Sequence, residues 1–355
     1  MNFDESIDRR DTHSEKWDAM EARYGVSNHD GISMWIADMD FRPPQAVQNA
    51  LSKMLEHGIY GYFGNQNEYL DSIQWWMKHR HNWAVPREGI FTTHGLVNGT
   101  AMCIDTFTHP GDGVILFTPV YHSFAKVIKA NNRQIIEMEL VNNNGHYEMD
   151  FETYDEIIPT NARMVIFCSP HNPGGRVWSQ TELKQLADFV NRHDLILVSD
   201  EIHHDLTFGA KHTPMVHING IKDRLIMMTA TTKTFNMAGG HVGNVIIENP
   251  ELQKSFKKRI TALGLSPNAF GLHMATAAYS KDGVIWLDAL IKYLDKNRRL
   301  FDAGINAIPG LKSMQLEATY LAWVDFSATG MTKGEFTRRV QSQAKIAANH
   351  GSTFG

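Results

Sequence analysis

One lysine of this sequence stands in a setting where its amine could react. In "MMTATTKTFNMAGG", residues 227–240, Lys233 follows an apolar run among threonines and precedes a turn of small residues. A lysine at the end of a strand is usually a solvated surface residue. The same amine, when it is kept partly out of water, has a lowered pKa and can act as a nucleophile. The groups that the fold brings to Lys233 decide between these two interpretations.

Three more functional groups follow apolar runs that the sequence predicts to be strands. Tyr121 follows "GVILFTPV", Asn172 lies in "HNPGG" after "MVIFCSP", and Asp200 closes "LILVSD". Lys233 comes shortly after another such run, "LIMMTA". In open α/β sheets, ligands bind beyond the carboxyl ends of the strands. The four side chains are therefore predicted to meet in one crevice.

A phosphate-binding turn is predicted beside them. The strand "GIFTT", residues 89–93, leads through "HGLVNGT" into a helix. The backbone N–H groups of Gly95, Leu96 and Val97 then stand at a helix N-terminus, which binds anions. Each feature is common by itself, because a strand-end aspartate usually caps a helix and a strand-end tyrosine usually packs in the core.

Together the groups match the needs of one cofactor, pyridoxal 5′-phosphate. Its aldehyde needs a lysine amine for a Schiff base, and its pyridinium nitrogen needs a buried carboxylate that keeps it protonated. Its O3′ oxygen needs a donor such as Asn172, its ring needs an aromatic partner, and its phosphate needs the backbone turn. The residues therefore predict this cofactor, with Lys233 as the reactive amine.

The elements that position these groups alternate between strands and helices. Apolar runs occupy residues 111–119, 133–140, 162–170, 195–201 and 225–230. Between the third and the fourth run, Ser179 and Glu182 form a capping box ahead of apolar residues at helical spacing. Fully apolar strands separated by amphipathic helices predict a largely parallel sheet that is covered on both faces, an α/β architecture.

The pattern changes near residue 283. There "GVIWLDALIKYLDKNRRLFDAGINAI" predicts a long helix, and "YLAWVDFS" and "TKGEFTRRVQSQAKIAANHG" predict a strand and a helix. We predict a segment 1–44 that packs with a small domain, a large α/β domain over 45–283, and a small α+β domain over 284–355.

Composition and charge exclude several classes of protein. The 355 residues are 43% hydrophobic with a net charge of −5, so the chain can bury sizeable cores and lacks the basic excess of a nucleic-acid or membrane-surface binder. No signal-peptide pattern opens the chain, and no window of 18 apolar residues occurs. Only Cys103 and Cys168 are present, which excludes a disulfide framework and favours a cytoplasmic protein.

Several motifs resemble a known family. "SPHNPGGRVW", "LVSDEIHHDL" and "TTKTFNMAGG", in this order and spacing, are similar to fold-type I pyridoxal-phosphate enzymes, the aspartate aminotransferase superfamily of classes I and II. "MWIADMDFRPP", "GIYGYFGNQNEY" and "GVIWLDAL" resemble its MalY/PatB-type cystathionine β-lyase branch. The resemblance covers nearly the whole chain. It implies a large domain with a mostly parallel seven-stranded sheet and a smaller α+β domain.

The resemblance also implies roles for single residues. Lys233 binds the cofactor covalently, and Asp200 faces the pyridine nitrogen. Asn172 reaches O3′, His203 falls where relatives place a second neighbour of O3′, and Tyr121 stacks on the ring.

The phosphate site departs from the commonest aminotransferase pattern. Ala230 and His241 occupy positions where many relatives have a serine and an arginine that bind the phosphate, which leaves Thr231 or Thr232 and backbone groups as donors. Tyr62 matches a tyrosine that contacts the phosphate in the partner subunit, so the resemblance implies a homodimer with shared active sites.

A metal site is the alternative for "DEIHHD", residues 200–205. Zinc needs three or four convergent ligands, whereas the adjacent His203 and His204 are predicted to point to opposite sides, so we expect no metal. "HRHN", residues 79–82, is predicted to be a solvated helix end. Gly174 follows "HNP" at a position where threonine is frequent in relatives.

The predicted activity is carbon–sulfur β-elimination. The resemblance implies that cystathionine or another cysteine S-conjugate, a small-molecule amino-acid substrate, is cleaved to a thiol, pyruvate and ammonia. Amino transfer uses the same residues and stays open, as does a non-catalytic relative that only binds the cofactor. The chain stops at Gly355, before the family's arginine for the substrate carboxylate, so we expect a longer natural product; Arg42 is a weaker candidate for that role.

Overall fold

The computed structural model describes all residues, 1–355. The helices are α1 Glu15–Asp18, α2 Met20–Tyr24, α3 Gln45–His57, α4 Asn67–His81, α5 Leu96–Phe107, α6 His122–Ala130, α7 Phe151–Ile157, α8 Gln180–Arg192, α9 Thr231–Thr234, α10 Pro250–Ala262, α11 Ala269–Ala278, α12 Lys281–Asn306 and α13 Lys333–Thr337, with a π-helical segment at Arg338–Gln343.

The strands are mostly short. They are β1 Ile32–Ser33, β2 Ile90–Thr93, β3 Gly113–Thr118, β4 Gln134–Glu139, β5 Val141–Asn143, β6 His146–Glu148, β7 Ala162–Cys168, β8 Ile196–Asp200, β9 Leu225–Thr229, β10 Gly243–Ile247, β11 Lys312–Ser313, β12 Val324–Asp325 and β13 Ile346–Ala347.

One seven-stranded sheet forms the centre of the molecule, in the order β2-β10-β9-β8-β7-β3-β4. The pairs from β9 through β4 are parallel, whereas β10 is antiparallel to both of its neighbours. Six strands therefore point the same way, which confirms the predicted mostly parallel α/β sheet. The apolar runs of the sequence did not predict strand β10.

Each face of the sheet is buried under helices. In β3, Val114 and Leu116 belong to one apolar core, and Ile115 and Phe117 belong to another on the opposite face. Successive side chains of a strand point to opposite faces, so a strand covered on both sides must be apolar throughout. This double burial explains why the sequence shows continuous apolar runs rather than alternating ones.

Helix α8 begins as its sequence predicts. The Ser179 hydroxyl accepts a hydrogen bond from the Glu182 N–H at 3.2 Å, and a Glu182 carboxylate oxygen accepts one from the Ser179 N–H at 2.8 Å. Both free N–H groups at the helix start are thereby satisfied, so the capping box is confirmed.

The last part of the chain contains the long predicted helix, α12, and little further strand. In "YLAWVDFS" only Val324 and Asp325 form a strand, paired with β11. The N-terminal β1 pairs in parallel with β13, so the two ends of the chain meet. The domain boundaries at residues 44 and 283 stay a prediction. None of the helices is both long and apolar enough to span a membrane.

Candidate active site

Six strands of the sheet end at the same edge, and the predicted site residues follow several of them. Asp200 is the last residue of β8, opposite Cys168 at the end of β7 in the register of the parallel pair. Lys233 follows β9 within α9, and Tyr121 follows β3. The topology therefore places these groups around one crevice, as the strand-end argument requires.

The Lys233 amine is partly buried and has one partner in the chain. Its Nζ donates a hydrogen bond to the backbone carbonyl of Ala37 at 2.5 Å. Burial lowers the pKa of Lys233 from its ordinary value, against the opposing pull of the Asp38 and Asp200 carboxylates. A desolvated lysine with a lowered pKa supplies more of the neutral, nucleophilic amine. This setting favours the reactive interpretation over a solvated surface lysine.

Asp200 is a buried carboxylate without a cationic side chain bound to it. Its Oδ1 accepts the N–H of Ile202 at 3.1 Å, and no lysine or arginine forms an ion pair with it. Burial raises the pKa of Asp200 to about 7. A cationic ring N–H placed against this carboxylate would stabilise its charged form. The group is therefore suited to hold a protonated pyridine nitrogen.

Tyr121 and Asn172 border the same crevice. The Tyr121 ring is held by an edge-on contact with Phe124, with ring centroids 5.5 Å apart. Burial raises the pKa of the Tyr121 hydroxyl, and the nearby Asp200 charge adds to this effect. Asn172 is buried in the loop after β7, and its side chain makes no hydrogen bond within the chain. Its amide is therefore free to donate to a ligand.

His203 lies close enough to Lys233 for the charge of the lysine to affect its ring. The side chain is buried, its Nδ1 has no hydrogen-bond partner, and its ring lies 6.0 Å from the ring of Tyr320. Burial, together with the positive charge of Lys233, lowers the pKa of His203 to about 3, so its ring is neutral. A neutral imidazole with a free ring nitrogen can donate to or accept from a ligand oxygen.

The predicted phosphate turn has the required backbone. Gly95 precedes α5 with a φ of 85°, and the helix start has no side-chain cap, so the N–H groups of Leu96 and Val97 are open. Gly243 of β10 lies so close that an added Cβ would be 2.6 Å from a Leu96 methyl group. The Thr231 hydroxyl, also buried, has no partner.

Thr232 is buried beside Thr231 in α9, next to the lysine. The two positions that depart from the aminotransferase pattern differ in setting. Ala230 is buried before α9, whereas His241 is exposed with a φ of 43°. Ala230 cannot replace the expected serine, because its side chain has no polar atom.

The structure does not bring every candidate to the crevice. Tyr62 is fully exposed in the segment between α3 and α4, beside the exposed Ile59 and Tyr60. Arg42 is exposed and pairs with Glu5 at 3.1 Å. Tyr62 therefore contributes nothing to the site of its own chain, and Arg42 matches the solvated alternative.

The sequence patterns missed a contact between the N-terminal segment and the site. The Tyr320 hydroxyl donates to the Ala37 carbonyl at 3.0 Å, so Tyr320 and Lys233 share one acceptor. The Asn236 side chain fixes the same segment, because its amide accepts from the Met39 N–H at 2.8 Å. The "IADMD" motif was a possible signal, but nothing in its composition indicates that it reaches a lysine almost 200 residues away.

The prediction of a solvated helix end at residues 79–82 is wrong for His81. Its side chain is buried, and its Nε2 lies 2.9 Å from a carboxylate oxygen of Asp205. His79 does lie on the outside, stacked on Trp75. The correction has a simple cause: α4 ends against the loop that follows β8, and this tertiary contact leaves no trace in the local sequence.

Gly174 has a structural reason to lack a side chain. A Cβ at this position would lie 2.8 Å from the His171 Nδ1 and 2.9 Å from a Tyr147 ring carbon. Real Cβ atoms essentially never come this close to other atoms. The threonine that is frequent in relatives would therefore require His171 and Tyr147 to move.

These residues pass a test of fit for pyridoxal phosphate. Five features lie at one sheet edge. They are the Asp200 carboxylate without a cationic partner, the His203 ring nitrogen and the Thr231 hydroxyl without hydrogen-bond partners, the open N-terminus of α5, and the desolvated Lys233. Buried polar groups in proteins nearly always have partners, so such a group of unsatisfied atoms indicates a ligand. Fold and site together define the class of fold-type I pyridoxal-phosphate enzymes.

The chain belongs to the family of class I and II aminotransferases, whose profile matches residues 30–355. Among relatives, it is 38% identical to cystathionine β-lyase PatB of Bacillus subtilis, over 100% of this chain and 92% of the relative. It is 29% identical to the MalY protein of Escherichia coli, over 100% and 91% of the two chains. These similarities confirm the family that the motifs indicate.

Solved structures agree with the sequence relatives. Cystalysin of Treponema denticola, whose crystal structure contains pyridoxal 5′-phosphate, matches with a TM-score of 0.95 and 38% identity, over 100% of this chain and 91% of the other. The pyridoxal-phosphate-bound C–S lyase of Staphylococcus hominis matches with a TM-score of 0.90 and 32% identity, over 100% and 90%. The chain is thus a member of an enzyme family, and its fold is that of the predicted class.

Proposed function

We propose that this protein is a pyridoxal-phosphate-dependent carbon–sulfur β-lyase that cleaves cystathionine or a related cysteine S-conjugate to a thiol, pyruvate and ammonia. The observation that carries the proposal is the meeting of Lys233 and Asp200 at one sheet edge, each with the electrostatic setting that the cofactor requires. The similarity to PatB and to the C–S lyase of Staphylococcus hominis supports the choice of reaction.

Each site residue has a role in binding or orientation. Asp200 would hold the ring nitrogen of the cofactor, Asn172 and His203 would bind O3′, and the Tyr121 ring would lie against the cofactor ring. Phosphate oxygens would be bound at the start of α5 by the N–H groups of Gly95, Leu96 and Val97, and by the hydroxyls of Thr231 and Thr232.

Lys233 carries out the proton transfer. When bound, the cofactor supplies an electron sink that stabilises negative charge at the substrate α-carbon. The Lys233 amine removes the α-proton as general base, and its lowered pKa increases the fraction of the amine that is neutral. The bond from the β-carbon to sulfur then breaks and sulfur leaves with the electron pair. The overall reaction consumes one water molecule and releases a thiol, pyruvate and ammonium.

An assay with two substrate mixtures distinguishes lyase from aminotransferase. The protein, supplemented with pyridoxal phosphate, is incubated with cystathionine alone and, separately, with an amino acid plus a 2-oxo acid. We expect pyruvate and thiol from cystathionine without any acceptor. Amino transfer that depends on the 2-oxo acid, without pyruvate from cystathionine, would make the protein an aminotransferase. Absence of both would leave a protein that only binds the cofactor.

We also propose a homodimer in which Tyr62 reaches the phosphate of the partner's cofactor. The exposed side chains of Ile59, Tyr60 and Tyr62 support this arrangement, because a run of exposed large apolar residues indicates a surface that another chain covers. We expect sedimentation equilibrium to give twice the chain mass. Tyr62→Phe should weaken cofactor retention several-fold without changing that mass, whereas a monomer with unaltered cofactor binding would contradict the arrangement.

A further inference from the structure

A second buried polar cluster lies behind the crevice, around the carboxylate of Asp205. The His81 Nε2 lies 2.9 Å from its Oδ1, the Trp76 Nε1 donates to its Oδ2 at 3.1 Å, and the Thr234 hydroxyl donates to the same oxygen at 3.2 Å. The His204 Nε2 is 3.2 Å from Oδ2. We call these five residues the Asp205 cluster; none of them belongs to the predicted cofactor contacts.

The Asp205 cluster joins three elements of the fold. Trp76 and His81 belong to α4, and Asp205 lies in the loop that follows β8 and Asp200. Thr234 is the residue directly after Lys233, in the four-residue helix α9. A helix this short does not hold its own geometry, and α9 has no side-chain cap at its start. The direction of the Lys233 side chain therefore depends on tertiary contacts to α9.

The electrostatics show that the Asp205 carboxylate is charged. Burial would raise its pKa, but the nearby His204 and the hydrogen-bonded His81 hold the pKa of Asp205 well below its usual range. No lysine or arginine pairs with it. The other titratable groups facing this region are Tyr279, whose buried hydroxyl lacks a partner, and the Glu201–His212 pair, 2.7 Å apart.

A charged carboxylate buried without lysine or arginine costs free energy, and some buried polar groups are retained because they favour one arrangement of the chain. We propose that Asp205 is a positioning residue for Lys233: it fixes α9 through the Thr234 hydroxyl and anchors that turn to α4 through Trp76 and His81. The inference rests on the proposed function in so far as Lys233 is the reactive amine.

A metal ion is the competing interpretation of the same residues. His81, His204 and Asp205 each offer one ligand atom, and these atoms lie within 4.8 Å of one another. However, both oxygens of Asp205 already accept hydrogen bonds or ring contacts from His81, Trp76 and Thr234. The geometry favours a hydrogen-bonded carboxylate over a metal ligand. Elemental analysis of the purified protein tests directly whether a metal ion is bound.

Three variants of the holoenzyme test the proposal. Asp205→Asn keeps the shape and removes the charge, Thr234→Val removes only the hydroxyl, and Thr234→Ser restores it. Because a displacement of about 1 Å at a reacting group costs on the order of a hundredfold in rate, we expect kcat to fall roughly 10- to 100-fold in the first two variants. KM should stay within about threefold, and Thr234→Ser should resemble the wild type.

Two further readouts separate positioning from mere structural support. The first is the pH midpoint of the absorbance band of the Lys233-bound cofactor, which should move to lower pH in Asp205→Asn because a nearby negative charge is lost. The second is the rate at which cofactor-free protein attaches pyridoxal phosphate to Lys233, measured by borohydride reduction and mass spectrometry. We expect that rate to fall several-fold in Thr234→Val and to recover in Thr234→Ser.

The outcomes are decisive even if Asp205→Asn does not fold, because Thr234→Val replaces only the hydroxyl by a methyl group, whereas Thr234→Ser keeps the hydroxyl and loses only the methyl group. A wild-type attachment rate and a wild-type kcat in Thr234→Val would overturn the proposal, and so would one equivalent of zinc in the purified protein. If the wild type shows no absorbance that depends on Lys233, the proposed function fails instead, so the two failures are distinguishable.

Discussion

Lys233→Ala is expected to abolish turnover and to remove the covalent attachment of pyridoxal phosphate. The variant loses both the amine that binds the aldehyde and the base that moves the α-proton, so kcat/KM should fall by roughly 10⁴-fold or more. The folded state loses one hydrogen bond, to Ala37, and should be destabilised by no more than about 1 kcal/mol. Pyruvate release and the absorbance of the bound cofactor measure the effect.

Lys254→Ala is the matched control for this experiment. Lys254 lies exposed on α10 and takes part in no ion pair, so its removal tests whether the loss of any lysine matters. Lys233→Arg adds a second control, because it keeps the positive charge but cannot form the link to the aldehyde. Lyase activity in Lys233→Ala near that of Lys254→Ala would show that another residue is the reactive amine.

Asp200→Asn is expected to cause the second largest loss of activity, after Lys233→Ala. The asparagine keeps the shape of the side chain but no longer pairs with a protonated ring nitrogen, so the electron sink is weakened and kcat should fall roughly 10³-fold. The cofactor should still attach to Lys233. Activity in Asp200→Asn within a few-fold of the wild type would contradict the assignment of Asp200 to the ring nitrogen.

Asp200 also gives the cofactor-free protein a recognisable pH dependence. Its pKa is raised from 3.8 to about 7 by burial, so the folded state binds more protons than the unfolded state between these values. Stability therefore falls as pH rises through this window, by about 4 kcal/mol for this group. Denaturant unfolding of the cofactor-free protein between pH 4.5 and 8 should show that decline in the difference between the wild type and Asp200→Asn, because the lowered pKa of His203 changes stability in the opposite direction in both proteins.

Asp200→Asn cannot ionise at this position and therefore lacks the contribution of Asp200 to the pH dependence. Asp223→Asn is the matched control, since Asp223 is exposed and forms no ion pair. Asp205 acts in a different range: its lowered pKa stabilises the fold above its ordinary value and loses that effect only as pH falls below it. An unchanged decline in Asp200→Asn would assign the pH dependence to other groups.

Much of the site was predictable because its functional residues follow strands that the sequence indicates clearly. The strands β3, β7, β8 and β9 are buried on both faces, and this burial is visible in the sequence as continuous apolar runs. The residues after such parallel strands lie at one sheet edge because of the topology, so the sequence alone predicts that Asp200 and Lys233 lie in the same crevice.

Other features were beyond the reach of sequence patterns, each for a physical reason. Strand β10 runs against its neighbours, and a short apolar run does not reveal direction. His81 resembles a solvated helix end until α4 is packed against the loop that carries Asp205. Tyr320 meets the Ala37 carbonyl across 283 residues of chain, a separation at which local spacing carries no information.

The sequence by itself indicated the fold class and the cofactor, and it predicted Lys233 as the reactive amine, because apolar strands and the residues that follow them are visible in the local order of residues. Only the tertiary structure decided how Lys233 is held: by Ala37 from the N-terminal segment and, through Thr234, by the buried Asp205 cluster. Local order encodes which residues are apolar and where strands stop. The partners of a buried polar group depend on which distant elements pack together, and that is settled only when the chain has folded.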